Sequence, residues 1–235
     1  MTKKSCDKIK IVIPASGIGA RFGTSTPKQF LQLQGVDILQ RTISVFEQLD
    51  AVDEIVVAVP AGYTQIVQGY GFDKVHHIVE GGTNRAESVF CALQMLPKDT
   101  KTVLIHDGVR PFVTGKLVYD IAATVKKYGA AVACTPITNT IKQANSNKKI
   151  EATPDRSQLW SAQTPQGFTY DIIIKAYEQG TRNNTLHQVT DDSTLVEQLG
   201  IPVYVVPASP SNIKITTAED MLIAKALLAS HQEVI

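Results

Sequence analysis

Short apolar runs alternate with stretches of helical period along most of the chain. Largely apolar runs at 11–13, 54–59, 102–105, 130–134 and 203–206 suit buried strands, and 75–79 reads as another strand. Between them, one helix face recurs over 38–49 through Ile38, Leu39, Thr42, Ile43, Val45, Phe46 and Leu49. Further helical patterns cover 63–70, 84–95, 116–128, 171–178, 191–199 and about 217–229, with Asn84 capping the third and Thr217–Asp220 the last. The alternation predicts one α/β domain, a mostly parallel sheet with helices on both faces.

One segment breaks this rhythm. From 136 to 154 the chain is polar, and Asn145-Ser146-Asn147-Lys148-Lys149 forms a turn between Ile141-Lys142-Gln143 and Ile150-Glu151-Ala152. This predicts a β-hairpin arm at about 136–155, too short and too thinly apolar to hold a core alone. The segment 160–168 then returns the chain to the body.

The first strand runs into Pro14-Ala15-Ser16-Gly17-Ile18-Gly19-Ala20-Arg21-Phe22-Gly23, whose glycines let the backbone bend around a ligand and turn its N–H groups inward. Two familiar signatures fail here. A P-loop would close on Gly-Lys-Ser/Thr, whereas Lys28 stands in Pro27-Lys28-Gln29. A dinucleotide fingerprint would need glycine in place of Phe22 and an acid after the second strand, which instead reads Val57-Ala58-Val59-Pro60. Nucleotide phosphates stay as the ligand class, and NAD and Walker-type ATP do not. Arg21 and Lys28 flank the bend and suit the charge that develops in nucleotidyl transfer, although an isolated pair of this kind is as readily two solvated cations.

Composition narrows the picture further. With 235 residues, 43% of them hydrophobic, the chain can bury one large core. Lys and Arg total 23 against 22 acids, so no bulk field draws it to nucleic acid or to a membrane surface, and an anion site must be local. No apolar run reaches the ~20 residues of a membrane span. Cys6, Cys91 and Cys134 are few, odd in number and without metal-ligand spacing, which predicts reduced thiols and a cytoplasmic location.

Taken with the glycine loop, Gly81-Gly82-Thr83-Asn84-Arg85-Ala86-Glu87-Ser88-Val89, His106-Asp107-Gly108-Val109-Arg110-Pro111, Thr164-Pro165-Gln166, Thr190-Asp191-Asp192 and Asn212-Ile213-Lys214-Ile215-Thr216 form a colinear set. It resembles the sugar-phosphate nucleotidylyltransferases, and most nearly the 2-C-methyl-D-erythritol 4-phosphate cytidylyltransferases. The resemblance implies a Rossmann-like domain that transfers CMP from CTP to a sugar-alcohol phosphate, with Mg²⁺ or another divalent cation. It implies catalytic roles for Arg21, Lys28 and Lys214, and nucleotide binding by Pro14, Ala15, Ser16, Gly17, Gly19, Gly81, Gly82, Thr83, Arg85, Ser88, Asp107 and Gly108. Arg110, Thr140, Arg156, Thr190 and Asp191 would hold the acceptor, Asp107 would also serve the metal, and the arm would reach across a homodimer.

The residues by themselves leave several alternatives. Asp107 can be a turn acceptor, His106 reads as structural, Arg85 can pair with Glu80 or Glu87, and Arg156 with Asp155 or Glu151. Thr83 stands where some relatives carry an acid able to take the cytosine amine, which loosens the inference of strict CTP selectivity. Ser16 and Gly108-Val109 replace common alanines and leave room for ribitol 5-phosphate as the acceptor. A nucleotide-binding regulator is the non-enzyme reading, against which the retained charge set argues.

Overall fold

The computed structural model describes residues 8–17 and 26–232. In chain order these form β1 (Ile9–Pro14), β2 (Gln32–Leu33), β3 (Val36–Asp37), α1 (Ile38–Glu47), β4 (Val52–Val59), α2 (Thr64–Gln68), β5 (Val75–Glu80), α3 (Arg85–Leu93), β6 (Thr102–Ile105), α4 (Gly115–Tyr128) and β7 (Ala130–Pro136). There follow β8 (Gln143–Ala144), β9 (Ile150–Ala152), β10 (Trp160–Thr169), α5 (Tyr170–Arg182), α6 (Asp192–Glu197), β11 (Tyr204–Pro207) and α7 (Ala218–Gln232).

Seven strands make the central sheet in the order β11-β7-β10-β6-β1-β4-β5. Alternate side chains of each strand feed opposite cores, as the pleat requires. Ile11, Ile13, Ile55, Val57 and Leu104 pack with Leu39, Ile43, Phe46, Val118 and Ile121 of α1 and α4. Val12, Val56, Val103 and Ile105 face the other way, onto Val89 and Leu93 of α3 and Ile173 and Tyr177 of α5. Both cores are built of buried apolar side chains, and each fully buried Ile or Phe contributes on the order of 2 kcal/mol.

Helix ends follow the sequence closely. Asn84 accepts from the Glu87 amide at 2.9 Å and so opens α3. Asp220 accepts from the amides of Thr216 and Thr217 while its own amide reaches Thr217 Oγ1, a capping box for α7. At the other end of α4, Gly129 takes φ 88°, the left-handed conformation that lets the chain turn directly into β7.

Two features depart from the sequence reading. Residues 160–169 do more than return the chain: β10 is a ten-residue strand, antiparallel to both β6 and β7. The α5 helix also runs to Arg182, past the expected 178. The arm is present, with β8 pairing antiparallel to β9 and every residue of both strands exposed. Its base is closed by the Ile137 amide on the Leu159 carbonyl at 3.2 Å. Among the described residues no helix is long and apolar enough to cross a membrane.

Candidate active site

The functional side chains gather where the parallel strands end, the edge at which an open α/β sheet presents its loops. A cavity of about 500 Å³ there lies between the end of β1 with Lys28, the β5–α3 loop, Asp107 after β6, and Lys214 beyond β11. At Gly81 and Gly82 the packing leaves no room for a side chain. A Cβ on Gly81 would meet Ser16 Cβ at 2.3 Å, and one on Gly82 would meet Glu87 Cβ at 2.3 Å. Ser16 Oγ and Ser88 Oγ bond across the seam at 2.5 Å, which ties the β1 loop to α3.

Glu87 shapes the loop facing this cavity. Its carboxylate accepts from the Thr83 amide at 2.8 Å, the Thr83 hydroxyl at 2.7 Å and the Asn84 amide group at 2.8 Å. These bonds, the Thr83 hydroxyl first, lower its pKa. An acid is therefore present beside the loop, one helical turn from the position at which sequence comparison looks for it.

A second cavity of about 220 Å³ adjoins the first and shares Arg85, Asp107 and Lys214 with it. Arg110, Thr164, Gln166, Thr190 and Asp191 complete its wall. At the partition, three cations converge on one carboxylate. Arg85 Nε donates to Asp107 Oδ1 at 2.9 Å, while Arg110 Nε at 3.2 Å and Lys214 Nζ at 3.0 Å take Oδ2. Burial alone would raise the Asp107 pKa, but the three cations hold it well below the usual carboxylate range. Arg85 continues to Asp192, with Nη1 on Oδ1 at 3.0 Å and Nη2 on Oδ2 at 2.8 Å. Burial opposes its charge, yet Asp192 and Asp107 together raise its pKa well above the usual value.

The loop carrying Asp107 is fixed from beneath. The Asp107 amide donates to Thr164 Oγ1 at 3.1 Å, so the threonine proton goes to His106 Nδ1 at 3.0 Å, and His106 Nε2–H donates to the Arg110 carbonyl at 3.0 Å. That fixes one neutral tautomer. His106 is fully buried, and burial pushes its pKa down to about 4. Its ring is taken up by Thr164 and the Arg110 carbonyl, beneath the loop that carries Asp107.

Most of the expected residues come together here. Pro14, Ala15, Ser16, Gly17, Lys28, Gly81, Gly82, Thr83, Arg85, Asp107 and Lys214 line the first cavity, and Arg110, Thr190 and Asp191 the second. Gly108 stands behind the wall, its amide on the Pro14 carbonyl at 3.2 Å. Ser88 is wholly buried, with its hydroxyl on Ser16 and the Asn84 carbonyl, so it supports the loop from below. Asp191 spends its carboxylate on capping α6 and on Gln166. Arg85 pairs with Asp107 and Asp192 instead of Glu80 or Glu87. Thr140 and Arg156 lie on the arm and line neither cavity; Arg156 Nη1 donates to the Thr138 carbonyl, while Asp155 is taken up by Ser157. Gly19 and Arg21 lie outside the described residues.

Both oxygens of Asp107 are engaged by the three cations. Among the described residues no group of three His, Cys, Asp or Glu side chains could hold an ion. Sequence reasoning also passed over Asp192, Tyr177 and the amide of Gln166. The second acid of Asp191-Asp192 was a visible signal, but Tyr177 looks like any apolar position of its helix.

Comparison with known proteins meets this geometry from another side. Residues 9–230 match the family model of 2-C-methyl-D-erythritol 4-phosphate cytidylyltransferase. A protein of that name from Alkaliphilus oremlandii is 40% identical over 98% of this chain and 99% of its own. Another, from Desulforamulus reducens, is 42% identical over 94% and 95%. The crystal structure of 4-diphosphocytidyl-2C-methyl-D-erythritol synthase from Anaerococcus prevotii superposes with a TM-score of 0.85 at 30% identity, covering 95% of this chain and 97% of that one.

Proposed function

This chain belongs to the 2-C-methyl-D-erythritol 4-phosphate cytidylyltransferase family, and we propose that its two adjoining cavities hold the two reactants of that transfer. It is a nucleotidyltransferase of isoprenoid precursor biosynthesis that joins CMP from CTP to 2-C-methyl-D-erythritol 4-phosphate. The glycine-walled cavity takes CTP, with the base against 81–83 and the triphosphate toward Lys28 and Lys214. The smaller, charge-lined cavity takes the acceptor phosphate. The observation that carries this division is the wall common to both, where Arg85, Arg110 and Lys214 meet at Asp107.

In the reaction an oxygen of the acceptor phosphate attacks the α-phosphorus of CTP in line, the bond to the β-phosphate oxygen breaks, and pyrophosphate leaves with the electron pair. No proton has to move, because a phosphate dianion is already nucleophilic. The polypeptide supplies position and charge: Lys28 and Arg21 serve the α-phosphate and leaving group, and Lys214 exchanges its bond to Asp107 for a phosphate oxygen.

The donor set fits a divalent ion carried in on the triphosphate. Asp107 is the one carboxylate on the nucleotide cavity among the described residues, and Mg²⁺ takes few carboxylates beside phosphate oxygens and water. Such an ion would spread the charge of the phosphates. Asp107 would anchor it while keeping the cations aligned.

Thr140 and Arg156 act across a homodimer in this reading, reaching the acceptor phosphate of the partner subunit. Their exposure on an arm that lines neither cavity supports it. Pyrophosphate release, measured with each of four nucleoside triphosphates against 2-C-methyl-D-erythritol 4-phosphate and ribitol 5-phosphate, tests the assignment. Turnover with CTP and the erythritol acceptor is expected to exceed every other pairing. Preference for the ribitol acceptor would overturn it.

A further inference from the structure

Among the described residues, Arg85 is the one side chain that touches both cavities and two separate carboxylates. A guanidinium offers five N–H donors. Three are assigned, Nε to Asp107 and one on each Nη to Asp192. Two remain on a side chain that is 27% exposed, at the partition between the cavities.

Besides Asp107, its orientation is set by two groups that line neither cavity, Asp192 and Tyr177. Asp192 is completely buried at the start of α6 and receives the guanidinium on both oxygens. Tyr177, also completely buried, donates its hydroxyl to Asp192 Oδ1 at 2.5 Å and stacks on Phe90 at 5.7 Å between ring centroids. Burial, then the neighbouring Asp192 charge, keeps this phenol protonated, so it can only donate. Gln166 Oε1 accepts the amides of Asp192 and Ser193 at 3.0 and 2.9 Å and pins the helix start to β10. The arrangement ties α3, α5, α6 and β10 to one cation.

We infer that Asp192 and Tyr177 are positioning residues for the transfer: they hold the Arg85 guanidinium in one orientation at the partition between the cavities, where the acceptor phosphate meets the α-phosphate. A cation anchored to Asp107 alone could swing about that single bond. Bidentate attachment to a second carboxylate removes the freedom, and the tyrosine proton fixes which way that carboxylate lies. Three cations against two carboxylates leave this cluster one net positive charge to meet phosphate oxygens from both substrates.

The inference rests on the two-cavity reading, and the test separates them. Steady-state cytidylyl transfer would be measured for wild type, Tyr177→Phe, Arg85→Gln and the double variant, with the unfolding temperature of each. Tyr177→Phe keeps the ring and its stack, and should lower kcat by about tenfold with the KM for CTP little changed. In the double variant the loss should equal that of Arg85→Gln alone, because the tyrosine acts only through the arginine. The same cycle with Asp192→Asn, a riskier change in a buried pair, should give a larger loss with the same coupling. Folded Tyr177→Phe enzyme with wild-type kcat, or losses that multiply in the double variants, would overturn the positioning role. A wild-type chain inactive with CTP would instead overturn the two-cavity reading.

Discussion

The acidic and basic cluster at the strand ends and the hairpin arm are built on opposite terms. Around Asp107 every ionised group has a partner from a distant part of the chain, separated by 22, 107 and 102 residues in the bonds of Arg85 and Arg110. On the arm the bonds are local: Asn145 Oδ1 accepts the amides of Asn147 and Lys149, and Lys142 reaches Thr153 across the ladder. The difference bears on the proposal that the arm serves a partner subunit: Arg156 and Thr140 are exposed there, away from both cavities.

The sharpest way to break this contrast is complementation. Lys28→Ala and Arg156→Ala should each lower turnover by about a hundredfold or more, the first through cavity charge and the second through the arm. Mixed in equal amounts and allowed to exchange, the two inactive chains should recover about a quarter of wild-type activity, since half the dimers are mixed and each holds one intact site. No recovery, with mixed dimers demonstrated, would return Arg156 to its own subunit.

A smaller effect separates the regions by pH. The folded His106 has its pKa pushed down from 6.5 to about 4, so the unfolded chain binds a proton more readily. The stability this group contributes is complete above about pH 6.5 and is lost as the pH falls toward 4, by about 3 kcal/mol in all. The depressed pKa of Asp107 adds its own loss below the ordinary carboxylate value of 3.8. Urea unfolding across this range should show the decline, and His106→Gln should flatten it. An unchanged slope in the variant would mean that other groups carry the acid sensitivity.

The smallest effect is expected at the arm's tip. Asn145→Ala removes two turn bonds and one to Glu151 but touches no core, so global stability should change by less than about 0.5 kcal/mol while the amides of Asn147 and Lys149 exchange faster. A loss well above that would show the turn to be coupled to the body.

What could be read from the sequence follows the same divide. Runs such as 54–59 and 102–105 announce strands buried on both faces, and Asn84, Thr217 and Asp220 announce helix starts, because each signal is local. β10 escaped because Gln163, Thr164, Pro165 and Gln166 read as a polar loop; their burial is tolerable only through partners such as His106, Asn212 and Asp192. Arg85 misled for a related reason. Glu80 and Glu87 are near it in sequence, but Glu87 is committed to Thr83 and Asn84, and the true partners lie on other elements.

One consequence of β10 concerns layout. A ten-residue strand extends roughly 33 Å, and this one is a single beam with its outer end at the arm and its inner end in the sheet. Trp160, Ser161 and Ala162 brace it against β7, while 166–169 are clamped between β6 and β7. Between brace and clamp sit Thr164, under the Asp107 amide, and Gln166, under α6. The foot of the arm and the supports of the charge cluster therefore lie on one strand, whose register against β7 breaks between Ala162 and Gln166.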